Sequence, residues 1–224
     1  MSDDLSAFLQ PGPTVESDSS EIISFAARAA GDSDSERDRA IRLYYAVRDQ
    51  IRYDPYTSSL EVEDLKATRT LTLQRGWCVS KAILLAAACR ALAIPARPGY
   101  ADVRNHLSTE KMRQRMQTDV FYWHGYTAIY LDSEWLKATP AFNIELCQKF
   151  GLLPLEFDGT EDSIYHPYDV AGNRHMDYLH QHGEFAEPPL RQMLETFKRE
   201  YPHWGDRAVA PGGDFEAEVE RETR

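Results

Sequence analysis

A chain of 224 residues, 42% hydrophobic and 11% aromatic, carries enough apolar material for one sizeable core, which excludes general disorder. Its formal charge of −11 argues against a nucleic-acid partner, and the local basic cluster at Lys111, Arg113 and Arg115 reads as a solvated helix face. No stretch approaches the roughly 20 apolar residues of a membrane-spanning helix, and the first residues are acidic and polar, so a cytoplasmic protein with no membrane partner is expected.

Residues 1–20 carry Pro11, Gly12, Pro13 and a Ser/Asp run and read as a flexible leader. Residues 21–30 form a short apolar helix, with Ser19 or Ser20 available as its cap. A second helix opens near residues 33–35, and Ala40, Leu43, Tyr44, Val47 and Ile51 recur at helical spacing along it. It stops before Tyr53 and Asp54, because Pro55 pushes the residue ahead of it out of helical geometry. Residues 65–74 lead into Arg75, Gly76, Trp77 and Cys78, and there the character changes. From 79 to 94 only Ser80, Lys81 and Arg90 are strongly polar, which predicts a helix buried on nearly all sides and stopped by Pro95.

Residues 96–103 have strand character, and 122–131, rich in aromatic and β-branched residues, have more of it. Asp132, Ser133 and Glu134 turn the chain into a strand at 135–138, closed by Pro140. A short helix follows Asn143 to Phe150, then an irregular His/Tyr/Gly-rich region to Gly183, in which residues 165–168 could wall a cleft. Residues 188–201 read as a final helix with proline at its first turn, and 206–224 as a charged, mobile tail. This order predicts one α+β domain over residues 21–205.

Three cysteines without a Cys-x-x-Cys pair make a poor disulfide framework and a poor zinc site. Cys89 and Cys147 lie in apolar helical sequence and read as small hydrophobes. Cys78 differs, because it opens the buried helix, where unpaired N–H groups and the helix dipole favour a thiolate. Gly76 just before it suits a close backbone approach. From position alone a structural cysteine remains the alternative. A thiol nucleophile needs a base, and of seven histidines only His124 stands in a convincing strand, sharing a face with Tyr122, Tyr126, Ala128 and Tyr130. A hydrogen-bonded core histidine is the plainer alternative there. His175, His180 and His182, with Asp177, raise a metal site. His180 and His182 share a face only if extended, however, and no fourth ligand stands at motif spacing, so a locally hydrogen-bonded cluster is preferred. No acidic calcium-loop pattern occurs, and no cofactor is expected.

Gly76, Trp77 and Cys78, then the apolar helix, then Arg90 to Arg97 (Arg-Ala-Leu-Ala-Ile-Pro-Ala-Arg) resemble the transglutaminase-like superfamily. The family's stretch reads Arg-x-x-Gly-Ile-Pro-Ala-Arg, with Ala93 here in place of the glycine. Trp123 to Leu131 resembles its histidine block, and Trp135 to Pro140 its tryptophan strand. The family usually ends that strand with Asp-Pro, the aspartate orienting the histidine. Here Thr139 stands in its place, with Asn143 as another source of an orienting oxygen. The resemblance implies a papain-like core, a buried helix opened by the catalytic Cys78 and packed on an antiparallel sheet. It also implies a thiol hydrolase or acyl transferase that takes a peptide or protein amide substrate, of protease, amidase or transglutaminase type. His124 would move the proton, and the Cys78 N–H would hold the oxyanion together with Gln74 or Trp77. Two other readings stand beside it. One is an inactive binding module, which the missing aspartate favours. The other is an arylamine N-acetyltransferase-like enzyme, whose Arg-Gly-Gly-x-Cys is one residue longer than Arg75 to Cys78.

Overall fold

The computed structural model describes residues 4–105, 108–164, 176–204 and 213–222. The helices are α1 (Ser20–Ala30), α2 (Glu36–Gln50), α3 (Val62–Leu65), α4 (Ala67–Leu73), α5 (Cys78–Ala91), α6 (Glu110–Met116), α7 (Ile144–Phe150), α8 (Leu190–Glu200) and α9 (Phe215–Glu222). The strands are β1 (Arg52–Tyr53), β2 (Arg75–Gly76), β3 (Ala96–Asn105), β4 (Val120–Leu131), β5 (Glu134–Ala138) and β6 (Met176–Glu184). Four of them form an antiparallel sheet in the order β5-β4-β3-β6, while β1 and β2 form a separate parallel pair. This is the expected α+β, papain-like arrangement.

Helix α5 is the centre of the molecule. Every residue from Cys78 to Arg90 is buried, since the helix packs on β3 and β4 on one side and on α1, α2 and α4 on the other. Such a helix has no solvent face on which to leave a polar group, and its few polar side chains tie neighbouring backbone instead. Lys81 Nζ donates to the carbonyls of Arg48 (2.9 Å) and Ile51, closing the C-terminal end of α2. Arg90 donates to the carbonyls of Ala96 (2.8 Å), Gln10 (2.8 Å) and Ala186 (2.9 Å). The helix ends at Ala91, before Pro95 could stop it, and the chain reverses through Ala93 at φ +59°. That left-handed turn is where the family motif carries glycine, and holding an alanine there costs about 1 kcal/mol.

Ser19 and Ser35 cap α1 and α2, each accepting a backbone N–H at 3.2 Å. The basic cluster lies on α6, with Met112 and Met116 buried beneath it. Three regions differ from the expectations above. The leader is clipped down, with Thr14 and Val15 buried and Glu187 accepting from Thr14 N (3.1 Å), Thr14 Oγ1 (2.6 Å) and Val15 N (3.1 Å). Part of the charged tail is α9, whose Phe215 and Val219 are buried against the core near α7 while its acidic residues mask that narrow apolar stripe in the sequence. Residues 176–184, read as irregular, form the edge strand β6 along β3. An edge strand with half-exposed side chains needs no apolar alternation, so its polar sequence concealed it. Residues 165–168 and His175 lie outside the described residues.

Candidate active site

The start of α5 is built by close backbone contacts. A Cβ on Gly76 would lie 2.4 Å from Ser80 Oγ and 3.0 Å from Thr70 Cγ2, so a larger residue there would have to displace the Ser80 hydroxyl. Trp77, extended, occupies the N-cap position, and Cys78 begins the helix. On the sheet side, a Cβ on Gly125 would come within 2.8 Å of both Cys78 O and Val79 Cα. The β4 backbone therefore rests directly on the first turn of α5, and the residue before Gly125 is His124. Cys78 and His124 line one cavity, together with Tyr53, Trp77, Phe197 and Tyr201 among others.

The electrostatics of the two groups are set by burial. Backbone N–H groups of Gly125, Val79 and Cys78 favour the Cys78 thiolate, as a helix N-terminus should, but desolvation outweighs them and pushes the thiol up to about 11. Burial and the helix N-terminus thus act in opposite directions on this cysteine. Burial likewise lowers the His124 imidazole to about 4. At neutral pH the resting pair is thus a thiol and a neutral imidazole. Among the described residues the imidazole has no hydrogen-bond partner.

A consequence for stability follows from the sign of the His124 shift. The folded state refuses a proton that the unfolded state accepts near pH 6.5, so the contribution is complete above that pH and is lost as pH falls to about 4. The depression corresponds to roughly 3 kcal/mol. Urea melts from pH 7 to pH 4 should show wild type losing more stability than His124→Gln. Parallel losses in both proteins would place the acid sensitivity elsewhere.

The residue before His124 is held in an unusual conformation. The β3–β4 register slips between the pairs Ala101↔His124 and Val103↔Phe121, and Trp123 has φ +59°. This interrupts the alternation expected from Tyr122 through His124. Asp102 Oδ1 accepts from Trp123 N (3.0 Å) and stands 2.7 Å from His182 Nε2, while the His182 ring stacks on Trp123 at 3.8 Å and 7°. Asp102 was not singled out in the sequence, although an aspartate amid 96–103 is a polar exception in a buried strand. His182 is engaged with Asp102, and His180 stands against it, edge to face, at 4.7 Å. Among the described residues no group of three His, Cys, Asp or Glu is placed to hold a metal ion.

The remaining sequence-nominated residues are distributed unevenly. Trp77 is on the cavity wall. Gln74 is exposed, its amide donates to Leu71 O (2.6 Å), and it is absent from the cavity. Asn143 is buried but committed, Oδ1 accepting from Tyr53 N (3.0 Å) and Nδ2 donating to Glu145 (2.8 Å), so its oxygen is not offered to His124. Thr139 is buried just past β5, and among the described residues its hydroxyl has no partner, His124 included. Cys89 and Cys147 are buried thiols, both pushed up by desolvation.

No curated protein matches the chain. A solved structure from Cytophaga hutchinsonii, named a "putative cysteine protease", is 18% identical with a TM-score of 0.50 and aligns over 82% of this chain and 56% of its own. A second, a "putative protease" from Parabacteroides distasonis, is 14% identical with a TM-score of 0.38, over 53% of this chain and 23% of its own. The chain thus spans little more than half of the first and under a quarter of the second, and the first likeness shows the fold alone. No described helix is long and apolar enough to cross a membrane. The sequence profile of the transglutaminase-like superfamily matches residues 23–140, more than half of the chain, and the protein belongs to that superfamily.

Proposed function

We propose that the protein is a thiol hydrolase or acyl transferase acting on amide bonds, with Cys78 as nucleophile and His124 as its base. The observation that carries this reading is the shared cavity, into which the first residue of the buried helix and a strand histidine both open. Because His124 is neutral, its ring holds a free lone pair at neutral pH. As the Cys78 sulfur attacks the carbonyl carbon, its proton passes to His124, and charge separates during the attack rather than before it. The carbonyl oxygen takes up the negative charge near the first N–H groups of α5, with the Cys78 N–H as one donor. Collapse of the tetrahedral adduct breaks the C–N bond, His124 returns the proton to the departing amine, and a thioester on Cys78 remains. Water or an amine then attacks the thioester, His124 takes its proton, and Cys78 is released.

A second reading, a binding module that keeps the fold without the chemistry, is favoured by one observation. Among the described residues no carboxylate or amide oxygen accepts a hydrogen bond from His124, so none of them fixes its tautomer. A single experiment separates the two. With 4-nitrophenyl acetate, a catalytic Cys78 should give a burst of nitrophenolate and an acetyl adduct on Cys78 alone. The burst should vanish in Cys78→Ala and slow by roughly 100-fold or more in His124→Ala. No adduct, or one shared among Cys78, Cys89 and Cys147, would leave the binding module.

A further inference from the structure

The cavity over Cys78 has a chemical character of its own. It measures about 60 Å³ and is part open to solvent, room for a few waters on the scale where one needs roughly 10–15 Å³. Trp77, Phe197, Trp204, Met112 and Met116 give it apolar walls. Among the described residues, no aspartate or glutamate lines this cavity. A guanidinium does, that of Arg115 on α6.

Arg115 differs from its basic neighbours. Lys111 pairs with Glu218 (3.3 Å) and Arg113 with Glu222 (3.8 Å), both on α9. Arg115 is half-buried and, among the described residues, has neither a hydrogen bond nor an ion pair. Burial lowers its pKa, with Tyr56 acting the other way, and an arginine stays charged at neutral pH regardless. A cation partly stripped of water, with no carboxylate beside it among the described residues, is a cost that an incoming anion can offset, and a guanidinium meets a carboxylate with two parallel hydrogen bonds.

We propose that the cavity over Cys78 takes an anionic substrate, one in which a carboxylate accompanies an aromatic or bulky apolar group, with the carboxylate on Arg115 and the ring among Trp77, Phe197 and Trp204. The inference names the substrate class of the acyl-transfer site proposed above and rests on that reading for its chemistry. Binding can be measured without it. Trp77 and Trp204 line the cavity, so their fluorescence reports occupancy directly. Titrations would compare 3-phenylpropanoate with its neutral amide, 3-phenylpropanamide, in wild type, Arg115→Met and Arg115→Lys. Wild type should bind the carboxylate about 10- to 100-fold more tightly than the amide. Arg115→Met should remove that preference while leaving the amide's affinity in place, and Arg115→Lys should keep part of it. A wild type that binds with this preference yet gives no nitrophenolate burst would refute the catalytic reading alone. Equal affinity for acid and amide, a preference that survives in Arg115→Met, or no fluorescence response to either probe would overturn the proposal.

Discussion

Gly125→Ala should lower the stability of the protein by about 3 kcal/mol and slow acylation of Cys78 by roughly 100-fold. Gly125 is not in the left-handed region, so alanine is acceptable to its own backbone; the space is what is missing. The added methyl carbon would sit 2.8 Å from Cys78 O and from Val79 Cα, both backbone atoms of a helix that is packed on two sides and cannot retreat. The strand must move instead, taking with it the neighbouring His124 and the Gly125 N–H that favours the sulfur's charged form. Urea melts and the nitrophenyl ester burst measure the two effects separately. A variant as stable and as readily acylated as wild type would mean that the close approach of β4 to α5 does not position the site.

Arg90→Met should cost about 3–5 kcal/mol, a fall in melting temperature of about 10 °C for a chain of this size. The guanidinium serves three carbonyls from parts of the chain far apart in sequence: Gln10 in the leader, Ala96 at the start of β3 and Ala186 after β6. Methionine fills a similar volume but leaves all three acceptors without their donor. The leader should loosen with it, because Glu187, next to Ala186, holds Thr14 and Val15. Hydrogen exchange of the Thr14 and Val15 amides should therefore rise in the variant before global unfolding. A loss below 1 kcal/mol with unchanged exchange would assign the strap to the apolar contacts of Val15 instead.

Much of the architecture was legible because its signals are local. The near-absence of polar residues from 79 to 94 identifies α5 as the buried helix, and the aromatic, β-branched run at 122–131 identifies β4. The cap serines and the hairpin at Asp132 and Ser133, both at positive φ, also follow from residue type. What escaped was held by distant partners. Strand β6 is a strand because β3 offers it a ladder, and α9 is ordered through Phe215 and Val219, two residues among many charges.

The site divides along the same line. The sequence by itself determined that Cys78 opens a buried helix and that His124 lies near the start of a strand, since both are matters of chain-local pattern. Only the tertiary structure decided that Gly125 lets these two elements touch, that Asn143 and Gln74 are occupied elsewhere, and that Asp102 and His182 hold Trp123 beside His124. It also decided the protonation of the pair. A helix N-terminus lowers a thiol's pKa and can be read from the chain, whereas desolvation raises it and depends on everything packed around the sulfur. At Cys78 the second effect is the larger.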